Sequence, residues 1–162
     1  AREILARGPR SYVGIEREPE AIARTEQALA EFGPRARVVR ADASKTPLAA
    51  ACASVVVGEA LLSMHPEAKK LAVASEVRRL LRPGVAIVWY AFFVAHPPPR
   101  DVRRVGKPEL ERLLPGFRVE VERCTLAPPI ARRLVPRSWS AAALLERLKL
   151  LDTHYIGLLY RP

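Results

Sequence analysis

Short apolar runs alternate with helix-type patterns along most of the 162-residue chain. Apolar runs of this length, bounded by turn residues, are typical of buried strands. They span residues 11–16, 36–40, 54–62 and 85–93, and the last, VAIVWYAFF, is the most apolar. Residues 19–32 and 66–81 have helical spacing and open on a proline, which suits a first helical turn. The sequence therefore predicts an α/β fold with a mostly parallel sheet and the 85–93 strand at its centre.

Three details of these elements can be compared directly with a structure. The unbroken apolar character of 54–62 predicts a strand that is buried on both faces. In the 66–81 helix, Leu71 is expected on the inward face together with Ala74, Val77 and Leu80. The 19–32 helix is expected to end at Gly33-Pro34.

The pattern continues more weakly beyond the proline-rich linker at 96–100. We predict a helix at 107–114, a strand at 117–125, a helix at 140–151 and a last strand at 154–160. The helix at 140–151 has its leucines in register on one face, and they are Leu144, Leu145, Leu148 and Leu151. Because the chain has no internal repeat and a length that suits one domain, residues 1–162 are predicted to form a single domain.

The composition narrows the class of protein. Apolar residues make up 49% of the chain, enough for a sizeable core, and no apolar run approaches the length of a membrane span. No charged-then-apolar leader opens the sequence, so we expect a soluble, cytoplasmic protein. Cys52 and Cys124 match no metal-ligand spacing and are too few for a disulfide framework. We therefore expect reduced thiols and no metal site.

The formal net charge is +10, and 22 of the 27 basic residues are arginine. An anionic partner such as a nucleic acid is one explanation. The arginines are spread along the whole chain, however, asparagine is absent and proline is abundant. A thermophilic source is therefore the other explanation, and we expect the charge to reflect it.

Three short motifs follow one another in a fixed order. Glu16 closes the first strand just before Pro19, Ala-Asp-Ala at 41–43 follows the second strand, and Leu-Arg-Pro-Gly at 81–84 precedes the most apolar strand. In this order and spacing the chain resembles class I, Rossmann-like S-adenosylmethionine-dependent methyltransferases over about residues 1–93. Its ending, LLDTHYIGLLYRP, is similar to the final strand of family members that act on small molecules. The resemblance implies a three-layer sandwich with an antiparallel C-terminal strand.

The resemblance also implies which residues hold S-adenosylmethionine. Glu16 matches the acid that binds the ribose hydroxyls, and Asp42 matches the acid that receives the adenine amino group. Ala43 offers the neighbouring backbone N–H, and Glu59 stands where the family lines the methionine end of the cofactor and the acceptor. The full set of implied cofactor-binding residues is Ile15, Glu16, Arg17, Asp42, Ala43 and Glu59, and the motifs identify no catalytic residue.

Plainer explanations exist for the same acids. Glu16 could be an acid at a helix N-terminus, where the helix dipole favours a negative charge. Asp42 could be a turn residue, because aspartate readily bonds to its own backbone. Glu59 could be a solvated loop acid.

The family's Gly-rich loop and the strand before it are missing from the sequence. Residues 1–10 resemble the end of the helix that follows that loop, so we expect about thirty to fifty preceding residues to be absent. The missing strand is expected between the 11–16 and 54–58 strands, which should then not form a regular pair. Without the loop, activity of this chain is in doubt.

The resemblance implies methyl transfer to a small-molecule or lipid-like acceptor. Residues 127–151 fall where the family covers the acceptor, and Arg132, Arg133 and Arg137 beside leucine and isoleucine suit an apolar acceptor with an acidic group. A solvated basic helix face explains the same pattern. The alternative function is a nucleic-acid-directed methyltransferase, or a basic RNA-binding module without activity, although the arginine-rich segments lack interleaved aromatic residues.

Overall fold

The computed structural model describes residues 5–6, 11–94 and 103–162. The chain divides into two compact units, Ala1–Leu48 and Ala49–Pro162, which are described separately below. The prediction of a single domain stays a prediction, and the 96–100 linker lies outside the described residues.

The first unit contains a two-stranded parallel sheet with a helical connection. Strand β1, Tyr12–Glu16, pairs in register with β2, Ala36–Arg40. Helix α1, Pro19–Leu29, packs against β2 and continues into a 3-10 helix, Ala30–Arg35. The predicted helix was therefore three residues too long, because the chain tightens into 3-10 geometry before Gly33, whose φ of 51° breaks the helix.

The second unit contains a mixed four-stranded sheet. Its strands are β3, Val56–Glu59; β4, Ala86–Phe92; β5, Arg118–Leu126; and β6, Asp152–Tyr160. They lie in the order β3-β4-β6-β5, with β3 parallel to β4 and β6 antiparallel to both its neighbours. The α/β fold, the interior position of β4 and the antiparallel last strand are thus confirmed.

Four helices accompany this sheet within residues 49–94 and 103–162. They are α2, Glu67–Leu80; α3, Lys107–Leu113; α4, Pro128–Leu134; and α5, Trp139–Arg147. The core contains Ile87, Trp89 and Ala91, which alternate along one face of β4 and are at most 1% exposed. Lys70 is 2% exposed and joins α2 to α3, because its Nζ lies 2.9 Å from Glu67 Oε2 and 2.6 Å from Glu109 Oε1.

Several residues that were predicted to face inward are exposed, and two elements are shorter than predicted. Strand β3 spans four residues rather than nine, and Val55 and Val57 are 45% and 47% exposed, so the strand is not buried on both faces. Leu71 on α2 is 60% exposed. Helix α5 ends at Arg147 instead of 151, and exposed leucines stand where buried ones were expected, namely Leu144, Leu148 and Leu151.

Helix α4 was not predicted at all. It opens with Pro128 and Pro129, and two consecutive prolines suggest a loop in sequence even though proline fits the first helical turn.

The strands at 11–16 and 54–58 were expected not to form a regular pair, because a strand between them is missing from the sequence. Among the described residues, β1 bonds only to β2 and β3 only to β4, so these two strands do not form a regular pair. No helix within the described ranges is long and apolar enough to cross a membrane.

Candidate functional site

Glu16 ends β1, and one of its carboxylate oxygens is occupied by backbone. Oε1 accepts the N–H of Arg17 at 2.6 Å and that of Glu18 at 3.1 Å. These bonds from Glu18 and Arg17 lower the pKa of the Glu16 carboxyl below its usual value. Among the described residues Oε2 has no hydrogen-bond partner, so the side chain holds the turn into α1 with one oxygen and presents the other.

Asp42 lies in the turn that follows β2. Its Oδ1 accepts the backbone N–H of Ser44 at 2.9 Å and the Ser44 hydroxyl at 2.6 Å. Its backbone oxygen accepts the N–H of Lys45 at 2.9 Å. Asp42 is therefore a turn-forming aspartate, and its side chain is 30% exposed.

The parallel pairing brings these two acidic positions to the same end of the small sheet. Glu16 pairs with Arg40, and the N–H of Ala41 donates to the Glu16 backbone oxygen at 3.0 Å. Arg17 Nη1 lies 3.9 Å from Asp42 Oδ2, which links the two strand ends by charge. Five of the six predicted cofactor residues thus lie together in the first unit, and they are Ile15, Glu16, Arg17, Asp42 and Ala43. Their roles toward a ligand stay predictions.

Glu59, the sixth, belongs to the second unit. It is exposed and ends β3, where it pairs with Tyr90 of β4. The next residue, Ala60, has a φ of 50° and donates its N–H to the Tyr90 oxygen at 2.7 Å. A non-glycine residue with positive φ is uncommon and holds the chain in a sharp turn at this strand end.

An aromatic cluster lies at the same end of β4. The rings of Tyr90 and His154 are stacked with centroids 4.7 Å apart, and the Phe92 ring is 4.0 Å from that of His154. The Tyr90 hydroxyl lies 3.0 Å from Thr125 Oγ1. Thr125 has a φ of 65°, which is rare for a β-branched residue, and its N–H donates to Glu146 Oε1. Sequence patterns did not reveal this cluster, because its members are distant along the chain.

Asp152 begins β6, two residues before His154, and is 6% exposed. Both of its carboxylate oxygens are buried and have no hydrogen-bond partner among the described residues. Burial raises the pKa of the nearby Cys124 thiol, and the negative charge of Asp152 adds to that rise. Sequence reasoning missed this acid because the last strand was predicted to start at His154, two residues late.

Helix α4 carries an open groove on its surface. The groove has a volume of about 370 Å³ and is lined by Pro129, Ile130, Arg133, Leu134 and Arg137. It therefore combines an apolar floor with two guanidinium groups. Of the three arginines that the sequence singled out in this segment, Arg133 and Arg137 line it.

The parallel β1–β2 and β3–β4 pairs, the helices between strands and the antiparallel last strand make this an α/β protein. A family model described as a methyltransferase domain matches residues 1–84, about half of the chain. The chain belongs to this family and is a methyltransferase with a Rossmann-like fold. Among curated proteins, none matches the chain in sequence.

Solved structures show the same fold. An S-adenosylmethionine-dependent methyltransferase from Mesorhizobium loti has a TM-score of 0.67 at 17% identity, and 98% of this chain covers 84% of that one. Another, from Methanosarcina mazei, has a TM-score of 0.66 at 17% identity, and the match covers 98% of this chain and 85% of that one. The 1,6-didemethyltoxoflavin-N1-methyltransferase of Burkholderia thailandensis has a TM-score of 0.64 at 20% identity, with 98% and 64% covered.

Proposed function

We propose that this chain binds the adenosine part of S-adenosylmethionine at the end of the β1–β2 sheet and serves methyl transfer to a small-molecule or lipid-like acceptor. The cofactor supplies an electrophilic methyl group on a positively charged sulfur. The protein contributes alignment of the acceptor and exclusion of water. Because alignment needs no protein group to react, the lack of an evident catalytic residue agrees with the proposal.

The observation that carries the proposal is that the two oxygens of the Glu16 carboxylate have different environments. Oε1 already holds two backbone N–H groups, which fixes the orientation of the carboxylate and favours its charged form. Oε2 has no partner among the described residues and can accept hydrogen bonds from ribose hydroxyls. Bonds to a charged acceptor are the stronger kind.

The remaining adenosine contacts follow from the same strand ends. The Asp42 carboxylate, which lies at the neighbouring strand end, is assigned to the adenine amino group. Ala43 offers a backbone N–H beside it, while Ile15 and the stem of Arg17 pack along the adenosine. In the second unit, Glu59 is proposed to line the methionine end and the acceptor.

The acceptor is proposed to lie under residues 127–151. The groove on α4 supports an acceptor with an apolar body and an acidic group, because Ile130 and Leu134 supply apolar surface beside the guanidinium groups of Arg133 and Arg137. The Burkholderia thailandensis neighbour holds 1,6-didemethyltoxoflavin together with S-adenosylhomocysteine, which agrees with a small-molecule substrate here.

Calorimetric titration of S-adenosylhomocysteine tests the cofactor assignment. Losing bonds to a charged acceptor costs about 1.5–3 kcal/mol, so Glu16→Ala is expected to weaken binding about 10- to 100-fold. Glu18→Ala is the matched control, since it removes a carboxylate two positions away that is 66% exposed, and it should bind like the parent. Unchanged affinity in Glu16→Ala, or no binding by the parent chain, contradicts the proposal.

The net charge of +10 favours a second candidate, a nucleic-acid-directed methyltransferase or an RNA-binding module without activity. Binding of this kind depends on counterion release and tightens steeply as salt falls. A filter-binding titration with single-stranded RNA at several salt concentrations checks it. Steep salt dependence supports this candidate, and no binding at low salt removes it.

A further inference from the structure

Large apolar side chains are exposed in one short segment of the second unit. Of the thirteen large apolar side chains that are exposed in the described part of the chain, six lie within the 17 residues from 135 to 151, so they are strongly clustered. Trp139 is 67% exposed and Leu150 is 70% exposed. The full set is Val135, Trp139, Leu144, Leu148, Leu150 and Leu151.

These side chains lie in α5 or in the residues that directly flank α4 and α5. Helices α4 and α5 pack against each other and against β5, and α5 is nine residues long, which is about 13 Å. Leu148, the residue directly after α5, donates its N–H to the Leu144 oxygen at 3.0 Å, so these two leucines lie one turn apart. We call residues 128–151 the α4–α5 surface.

The same surface is basic. It carries five basic residues, Arg132, Arg133, Arg137, Arg147 and Lys149, and a single acid, Glu146, which gives a net charge of +4. The Glu146 carboxylate accepts the N–H of Thr125. All four arginines are exposed. Exposed leucine and tryptophan are thus mixed with cations, of which Lys149 has an acidic neighbour, Glu122 of β5, at 4.0 Å.

The combination of charge and apolar exposure distinguishes between possible partners. A nucleic acid uses the arginines but gains nothing from exposed leucines. A second copy of the chain brings the same +4 surface and is repelled by it. An anionic bilayer satisfies both features, because its headgroups attract the arginines while leucine and tryptophan enter the boundary between headgroups and acyl chains.

We propose that the α4–α5 surface binds the surface of an anionic lipid bilayer, with Trp139 and the leucines inserted at the interface and the arginines on the lipid phosphates. The proposal goes beyond methyl transfer and does not depend on cofactor binding. It is linked to the proposed function at one point only, because binding to a bilayer brings a lipid-like acceptor within reach of the protein.

Co-sedimentation with vesicles tests the proposal on the chain as it stands. The probe is a vesicle of phosphatidylcholine with about one third phosphatidylserine, and pure phosphatidylcholine vesicles are the comparison. We expect binding to the mixed vesicles, little binding to the neutral ones, and release as salt rises, because each surface cation contributes about fivefold in affinity and added salt screens that attraction.

Exposed substitutions separate the two contributions with little risk to the fold. Leu144→Ser combined with Leu150→Ser is expected to weaken vesicle binding at least tenfold, and Arg133→Gln about fivefold. Leu71→Ser and Arg104→Gln are matched controls, because both residues are exposed and lie outside the α4–α5 surface. The controls should bind vesicles like the parent.

Tryptophan fluorescence gives an independent readout. The chain has two tryptophans, and Trp89 is 1% exposed, so a blue shift on adding anionic vesicles reports on Trp139 and should vanish in Trp139→Ala. Absence of binding to anionic vesicles, or equal binding by the surface and control variants, overturns the proposal. One further result overturns the proposal. In it, sedimentation shows that the parent is a dimer, the leucine variant disrupts that dimer, and neither protein binds vesicles.

Titration with S-adenosylhomocysteine distinguishes this proposal from the proposed function. Surface variants that bind the ligand normally but lose vesicles support the membrane surface. A parent chain that binds vesicles but no S-adenosylhomocysteine refutes the cofactor assignment and leaves the bilayer proposal supported.

Discussion

Glu16 and Asp42 in the first unit and Asp152 in the second have opposite environments. At the end of β1–β2, Glu16 and Asp42 are partly exposed, and each accepts two short hydrogen bonds from neighbouring residues. At the start of β6, Asp152 is 6% exposed, and neither of its oxygens has a partner among the described residues. The partly exposed acids therefore stabilise local turns, whereas the buried acid lowers the free energy of unfolding.

Lys70 shows that the second unit can compensate a buried charge. Its ammonium is almost fully buried, yet two carboxylates lie within 3 Å of it. The lack of a partner at Asp152 is thus a property of that position and not of the whole unit. Hydrogen bonding, more than burial, therefore decides whether a charged side chain stabilises this fold.

The largest effect is expected at Asp152. Replacing it by leucine, which has a similar shape, removes two buried polar atoms without a partner and should raise the free energy of unfolding by about 1–3 kcal/mol. Urea unfolding measures the change. Glu122→Leu is the control on β5, because its side chain is 73% exposed, and it should change stability by less than about 0.5 kcal/mol. A loss of stability in Asp152→Leu would mean that this carboxylate has a stabilising partner. Asp152 would then not differ in this respect from Glu16 and Asp42.

A smaller effect is expected at Asp42. Asp42→Ala removes the acceptor of both Ser44 bonds and should lower the free energy of unfolding by about 1–2 kcal/mol. Ser44→Ala removes only the hydroxyl bond and should cost about half as much. Equal stability of Asp42→Ala and the parent, measured in the same urea series, contradicts a stabilising role for the turn.

Much of the fold could be predicted because its signals are local. The apolar run that became β4 is flanked by turn residues, and the acids at Glu16 and Asp42 follow directly from where two strands end. The final strand was predicted from His154, two residues late, because aspartate is depleted in strands and Asp152 looked like a loop residue.

Spacing could not predict what covers an apolar face. The leucines of 140–151 recur at helical intervals, which indicates a shared face but not a partner for it, and the structure exposes Leu144 and Leu148. Side-chain clusters from distant elements, such as Tyr90 with His154 and Thr125, depend on strand pairing that no short segment encodes. The acceptor site is harder to predict than the cofactor acids for the same reason.

The smallest effect is expected for the charge of Glu16. The N–H groups of Glu18 and Arg17 lower the pKa of this carboxyl in the folded state, while the unfolded value is about 4.3. The charge therefore contributes stability that is present above about pH 4.3 and is lost as pH falls through the lower folded pKa. Solvent screens the site, so Glu16→Gln, which keeps an acceptor oxygen, should cost only a few tenths of a kcal/mol at pH 7. Urea unfolding of parent and variant should differ at pH 7 and converge near pH 2. A variant that is more stable than the parent at pH 7, with the gap closing in acid, means that the charge destabilises the turn, and the contrast with Asp152 would then rest on Asp42 alone.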